Sequence, residues 1–457
     1  MELAGRKVVV VGAARSGIAA AAFARRRGAA VTLSDSAPAE RLPALPPDLA
    51  AAGIVLELGG HRSETFTDAD LIVVSPGVPH TIAPLEAARR RGVVVIGELE
   101  LAARWLKAPV VAVTGTNGKT TVTQMIGDML AASGRRVFVG GNIGRPLIAA
   151  VEGEPAPELV VAEVSSFQLD TADCFRPRVA VLLNISPDHL DRYPDMDAYA
   201  RSKGRIFSRQ GADDVAVLNG ADARVRALAP PAGPLCTWFG ARPAGEAGID
   251  LKGEDLVLEG FDPSRGHLNG ERFSLARLKL LGAHNRANAA AAVLAARLAG
   301  AAPAAIVRVL AEFTPLAHRL ATVATIDGVR YINDSKATNV DAVIQALAAF
   351  DVPVVLIAGG RDKGGGYEGL RPAVQAGVKR LVVLGEAAEA IASAVGTACP
   401  GGVVHAADMG EAVRLAHDSA GPGDVVLLAP ACSSFDMFTD YACRGEAFAA
   451  AVRELGR

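Results

Sequence analysis

Short β-branched runs alternate with Ala-rich stretches from one end of this chain to the other. After Lys7, Val8-Val9-Val10-Val11, and likewise Leu71-Ile72-Val73-Val74, Leu159-Val160-Val161-Ala162 and the stretch from Val352 to Ile357, are apolar at successive positions, so both faces of each strand need cover. Strands of that kind belong in parallel sheets between helix layers, and an α/β fold is expected. The 457 residues give room for roughly three domains, each able to bury its own core. The runs fall into three sets, with breaks near Gly97-Glu98 and at Phe313-Thr314-Pro315, which places the expected domains at 1–98, 99–315 and 316–457. In the second set, Ile249 to Glu259 and Glu271 to Leu280 read as antiparallel strands before a helix from about Ala283. The third should open on a hairpin, Ala321 to Ile326 and Val329 to Ile332 about Asp327-Gly328, and close on a helix from about Asp436.

Charge excludes some function classes. Lys plus Arg (47) nearly balances Asp plus Glu (49), so no overall field favours nucleic acid or an acidic membrane. The five cysteines lack CxxC pairing, which suits free thiols in a reducing compartment and argues against a structural zinc site. Met1 to Lys7 pass directly into a strand with no h-region or cleavage site, and Ala287 to Ala299 is too short to span a bilayer. A cytoplasmic protein without membrane insertion is expected.

The chemistry gathers at strand ends. Val113-Thr114-Gly115-Thr116-Asn117-Gly118-Lys119-Thr120-Thr121 follows Val110-Val111-Ala112 and reads as a phosphate cradle. Its glycines let backbone N–H groups fold around an anion, Lys119 reaches the outer phosphates, and the Thr120 hydroxyl suits Mg²⁺. The standard spacing G-x-x-x-x-G-K-[ST] would need glycine at 113, where Val113 stands, so the loop is a shortened one. Glu163 ends a neighbouring apolar run, where a carboxylate serves a cation, a helix cap or a salt bridge. Asn184 to Tyr193 follow another strand, with Ser186 placed as a helix N-cap, Pro187 at N1, and His189 as either a structural histidine or a ligand.

In the first set, Gly12-Ala13-Ala14-Arg15-Ser16-Gly17 and the strand-end Asp35 resemble a dinucleotide fingerprint. Ala14 replaces its middle glycine, which favours another nucleotide over a nicotinamide. Three loops of the third set share the strand-end placement: Asn333-Asp334-Ser335-Lys336-Ala337-Thr338-Asn339, Gly359-Gly360-Arg361-Asp362-Lys363, and Pro430-Ala431-Cys432-Ser433-Ser434-Phe435. Ligands of open α/β sheets bind at such edges.

Together these motifs resemble the Mur ligases, ATP-dependent amide-forming enzymes of cell-wall precursor synthesis, over essentially the whole chain. The resemblance implies a Rossmann-like N-terminal domain, a central P-loop-type ATPase sheet with a small antiparallel subsheet, and a Rossmann-like C-terminal domain. Ser75-Pro76-Gly77, Gly97-Glu98-Leu99-Glu100, Glu163-Val164-Ser165-Ser166-Phe167-Gln168-Leu169 and the 333–339 loop point within the family to the branch joining D-glutamate to UDP-N-acetylmuramoyl-L-alanine. It implies ATP on Gly115, Thr116, Asn117, Gly118, Lys119, Thr120 and Thr121, with adenine near Asn285 and Asn288, phosphates near Arg319 and Lys336, and ribose near Asp334. Two Mg²⁺ ions are implied, one held by Thr120 and Glu163 and one near His189, where Lys203 would be a carbamate made with CO₂. Lys119, His189, Lys203 and Lys336 would then be catalytic. Arg15, Ser16, Asp35, Ser36, Ser75, Gly77 and Asn142 would bind the UDP substrate, and Thr338, Lys363, Ser434 and Phe435 the D-glutamate. A monomer is expected. The rivals are another Mur-type amino-acid ligase and a folylpolyglutamate synthase, which lacks a separate N-terminal nucleotide domain. An NAD-dependent oxidoreductase would leave the phosphate loop unexplained, and a non-catalytic ATP-binding module would not need three converging loops.

Overall fold

The computed structural model describes residues 1–42, 45–362, 364 and 366–456. Three sheets follow one another along the chain. The first has β1 (Lys7–Val11), β2 (Ala30–Asp35), β3 (Val55–Leu58), β4 (Leu71–Val74) and β5 (Val94–Gly97) in the order β3-β2-β1-β4-β5, all parallel. Every residue of β4 is buried, as the unbroken apolar run requires.

The second sheet has nine strands: β6 (Val110–Thr114), β7 (Val137–Gly141), β8 (Leu159–Glu163), β9 (Val179–Leu182), β10 (Val215–Asn219), β11 (Leu235–Phe239), β12 (Ala247–Lys252), β13 (Asp255–Glu259) and β14 (Arg272–Ser274). Its order is β14-β13-β12-β11-β10-β9-β6-β8-β7, antiparallel only across β12, β13 and β14. Two readings are corrected here. The stretch 249–259 folds into two strands, because Gly253 turns the chain at φ 65°, and the next strand stops at Ser274. The helix Ala283–Leu298 starts where expected.

The third sheet runs β15-β16-β20-β17-β18-β19, with β15 (Ala321–Ile326) antiparallel to β16 (Val329–Asn333) and β17 (Val354–Gly359), β18 (Val378–Leu384), β19 (Val403–His405) and β20 (Val425–Leu428) parallel. The last helix, Tyr441–Leu455, begins later than Asp436. Its cap is Asp440, whose carboxylate accepts the Cys443 N–H at 2.8 Å. All five cysteines are free thiols.

Topology aims the loops. Strand β6 lies between β8 and β9, with Val113 beside Glu163 and Thr114 beside Leu182. The phosphate loop therefore leaves the sheet with Glu163 on one side and Asn184 on the other. In the third sheet β16, β20 and β17 are neighbours, so the three loops that follow them emerge side by side. The cores divide unequally. One apolar cluster runs from Val8, Phe23 and Leu71 through Leu99 and Leu101 into Leu147, Ile148, Val160 and Ala180, joining the first sheet to the second. The third sheet has two clusters of its own, on its two faces.

Candidate active site

The shortened phosphate loop is pinned to the exit of β9. Thr116 N donates to Asn184 O at 2.9 Å, and Asn117 N to Asn184 Oδ1 at 2.8 Å. Gly118 lies at φ 84°, and a Cβ there would stand 2.4 Å from Asn288 Oδ1. Lys119 Nζ donates to the carbonyls of Gly115 and Thr116 at 2.9 and 2.7 Å, folded over its own loop. Thr120 Oγ1 donates to Glu163 Oε2 at 2.7 Å, and Asn142 Nδ2 to Glu163 Oε1 at 2.8 Å. Paired at a helix start, that hydroxyl and carboxylate are the hard oxygens Mg²⁺ prefers. Arg319 of the third domain reaches the same hydroxyl, Nη2 to Thr120 Oγ1 at 2.8 Å.

Lys203 lies in the helix Met196–Gly204, yet it is buried and not the solvated lysine that its helix suggests. Only 2% exposed, it donates from Nζ to Gly115 O at 2.8 Å and sits over the Tyr199 ring. Burial pushes its ammonium well below the ordinary lysine value, and Lys119 adds to this against the pull of Asp188, Glu163 and Asp170. His189, at φ 56°, holds Nε2 3.6 Å from Asp188 Oδ2 and meets Phe167 edge-on. No helix starts at Ser186 and Pro187. Ser186 Oγ donates instead to Asp341 Oδ2 at 3.1 Å, and Asp195 caps the next helix by accepting Ala198 N at 2.7 Å.

A cavity of about 490 Å³ opens from the phosphate loop between the second and third domains. Asn117, Gly118, Thr121, Asn285, Asn288, Arg319, Asp334 and Lys336 all line it. Burial pushes the Asp334 carboxyl up to about 7, against the opposing pull of Arg319. Lys336 Nζ stands 3.6 Å above the Tyr441 ring. Small polar contacts close the junction: Asn117 Nδ2 donates to Asp341 Oδ2 at 2.8 Å, and Asn339 Nδ2 to Asn117 Oδ1 at 3.1 Å and to Asp188 Oδ2 at 3.3 Å.

A second cavity, of about 550 Å³, sits over the carboxyl edge of the first sheet and takes in Arg15, Ser16, Asp35, Ser36, Ser75, Gly77 and Asn142. Asp35 also braces its surroundings, accepting Ala13 N at 2.7 Å and Ala37 N at 2.8 Å. Ser75 Oγ donates to Gly12 O at 3.1 Å. A smaller cavity of about 40 Å³ brings Thr338 to His189 and Asp188. Ser434 is buried outside the described linings of all three cavities, Phe435 is 62% exposed, and Lys363 lies outside the described residues.

Three family models match this chain in series: "Mur ligase MurD-like, N-terminal domain" over residues 6–97, "Mur ligase middle domain" over 113–296, and "Mur ligase, glutamate ligase domain" over 318–432. A protein of Desulfatibacillum aliphaticivorans named UDP-N-acetylmuramoylalanine–D-glutamate ligase is 48% identical over 100% of both chains. One of the same name from Desulfosudis oleivorans is 49% identical over 100% of this chain and 98% of its own. The chain belongs to the Mur ligase family. With the family come ATP and Mg²⁺. Among solved structures, the UDP-N-acetylmuramate-alanine ligase of Thermotoga maritima shares the fold of this Mur ligase, with a TM-score of 0.62, 19% identity, and coverage of 98% of this chain and 100% of that one.

Some residues of this Mur ligase's cavities went unread. His284 and Phe239 line the nucleotide cavity, and His61 and Gln168 the first-domain cavity. Gln168 lies within Glu163-Val164-Ser165-Ser166-Phe167-Gln168-Leu169, and its N3 position in a capping box is the signal the sequence offers. Arg444, buried in the last helix, ties the third-domain loops together by donating to Ser335 Oγ at 3.0 Å, Ser335 O at 2.9 Å, Cys432 O at 3.1 Å and Ser433 O at 3.2 Å. An arginine in an Ala-rich helix reads as solvated, so no local pattern announces it.

Proposed function

We propose that this chain uses ATP and Mg²⁺ to join D-glutamate to UDP-N-acetylmuramoyl-L-alanine in peptidoglycan precursor synthesis, through an acyl-phosphate intermediate. What carries the reading is full-length identity of 46–49% to relatives that share one name. The layout supports it. The 550 Å³ cavity would take the UDP substrate and the 490 Å³ cavity ATP, and the small cavity at Thr338 and His189 would receive part of the amino acid.

The acceptor's carboxylate must approach a γ-phosphate, and two unit charges about 4 Å apart repel by about 4 kcal/mol at an effective dielectric of about 20. Lys119 and Arg319 would bind the phosphates and offset that repulsion, and Lys336 would hold them from the third domain. Mg²⁺, when bound, supplies further charge neutralisation and polarises the γ-phosphate. Thr120 and Glu163 would hold one ion, and His189 with a carbamylated Lys203 a second. The carbamate forms as the Lys203 amine bonds to the carbon of CO₂ and releases one proton. What favours it is a lysine whose burial works against its charged form and whose Nζ lies against the phosphate loop, 2.8 Å from Gly115 O. Asn285 and Asn288 would orient adenine and Asp334 the ribose, while Thr338, Lys363, Ser434 and Phe435 would orient D-glutamate for attack by its amine. Closing the third domain would exclude water from the acyl phosphate. The reading places the enzyme in the cytoplasm, as a monomer with domains near 1–98, 99–315 and 316–457.

The deciding experiment is phosphate release from ATP with UDP-N-acetylmuramoyl-L-alanine, scanned across amino acids. D-glutamate should stimulate it most. Stimulation by another amino acid and not by D-glutamate would overturn the assignment.

A further inference from the structure

The motif Gly97-Glu98-Leu99-Glu100 has no part in the chemistry above, yet both its carboxylates are buried. Glu98 is 1% exposed and Glu100 0%. Both lie on the helix Glu98–Ala103, which continues directly from β5 of the first sheet, and each is taken up by backbone N–H groups further along the central domain. Glu98 Oε1 accepts Ile148 N at 2.6 Å, and the Leu147 N–H also points at this carboxyl. Glu100 Oε2 accepts Asp173 N and Cys174 N, both at 2.8 Å, while its Oε1 pairs with Arg104 Nε at 2.7 Å. Burying two carboxylates is costly, and such groups persist where their hydrogen bonds set a geometry.

The segments they hold share one property. Of the described residues lining the first-domain cavity, Asn142 and Gln168 are the two contributed by the central domain. Asn142 lies on the loop that runs into Leu147 and Ile148, and Gln168 on the short helix Ser166–Asp170 that leads to Asp173 and Cys174. Each glutamate therefore fixes the far end of a segment that presents one residue to that cavity. The Asn142 loop is also tied to Glu163, through Asn142 N to Glu163 O at 2.8 Å, and to the first domain, through Arg15 Nη1 to Gly144 O at 3.3 Å.

We propose that Glu98 and Glu100 are positioning residues for the acceptor, a two-pronged clamp that fixes Asn142 and Gln168 against the first-domain wall of its cavity. The inference rests on the reading of that cavity as the UDP-substrate site. UDP alone would engage the first-domain wall, whereas the complete acceptor needs the two clamped residues as well.

That difference supplies the test. In E98A and in E100A, the KM for UDP-N-acetylmuramoyl-L-alanine should rise about ten-fold, the scale of losing one or two buried hydrogen bonds, while the KM for ATP stays within about two-fold. The Kd of UDP measured by calorimetry should also stay within about two-fold, and E98Q, whose Oε1 can accept the same N–H groups, should return the acceptor KM to within about three-fold of the parent. Should E98A not fold, E98D carries the carboxyl one methylene short and must show the same split. An unchanged acceptor KM in E98D and E100A, or a UDP Kd that rises as much as the acceptor KM, would overturn the clamp. Failure of UDP to bind the parent enzyme in competition with the acceptor would overturn the cavity assignment, and the clamp with it.

Discussion

The central domain meets its two neighbours in physically different ways. Toward the first domain it shares a continuous apolar cluster, with Leu99 and Leu101 fully buried at the crossing and the Glu98 and Glu100 carboxylates sealed on either side. Toward the third domain it presents a 490 Å³ cavity, bordered by short polar contacts among Asn117, Asn339, Asp341, Asp188 and Ser186. Apolar area is lost whenever a shared core opens, at about 25 cal/mol per Å². Amide and carboxylate contacts at a cavity mouth exchange for water at about 1 kcal/mol each. On these grounds we expect the first junction to stay and the second to open. That suits a ligase in which the acceptor waits and the amino-acid domain closes.

The largest expected effect sharpens the second half of that contrast. Replacing Lys203 by Ala should lower kcat by roughly 10³-fold if it carries a metal-binding carbamate. Added formate or acetate should restore part of the rate, and unchanged activity in phosphate release would remove the proposal. The first junction fails in another way. L99A should destabilise the protein by about 2–5 kcal/mol by emptying the shared core. Calorimetry should show the first two domains melting as one transition that L99A shifts, with the third domain separate and unshifted. Independent melting of the first domain would break the comparison.

What could be read ahead of the structure follows the same division. Phosphate loop and Glu163 were readable because each sits on a strand-to-helix pattern in which local order fixes position. The hairpin at Asp327-Gly328 was readable for the same reason. The helix expected at Ser186 fails where His189 turns to φ 56°, and the Ser186 hydroxyl goes to the distant Asp341. Arg444, the Asn117 contacts and the burial of Lys203 arise from three sheets meeting, and periodicity carries none of that. Gly97-Glu98-Leu99-Glu100 lies between these cases: the motif was visible, but the segments its carboxylates hold are remote in sequence.

The next effect is a pH dependence at the first junction. Burial pushes Glu98 up to about 7 from an ordinary 4.5. At low pH both folded and unfolded chains hold the proton, so nothing is lost. As pH rises between the two values the unfolded chain releases it first, stability falls, and above about pH 7 the full cost is about 3 kcal/mol. E98Q lacks that cost. Its melting temperature should match the parent near pH 4, exceed it increasingly up to about pH 7 and hold that gap above; a gap constant with pH throughout would mean that Glu98 titrates normally.

The smallest effect tests the opening junction. D341A removes the carboxylate that accepts from both Asn117 and Ser186. Two exchangeable contacts at a cavity mouth are worth about 1–2 kcal/mol between the open and closed arrangements, and nothing to the folding of either domain's core. The variant should melt like the parent, yet its KM for D-glutamate should rise about three- to ten-fold as closure becomes less populated. UDP should bind it with unchanged affinity, because that cavity lies across the junction that does not open. A melting shift as large as that of L99A would show that the polar junction carries folding stability, and the distinction between the two would collapse.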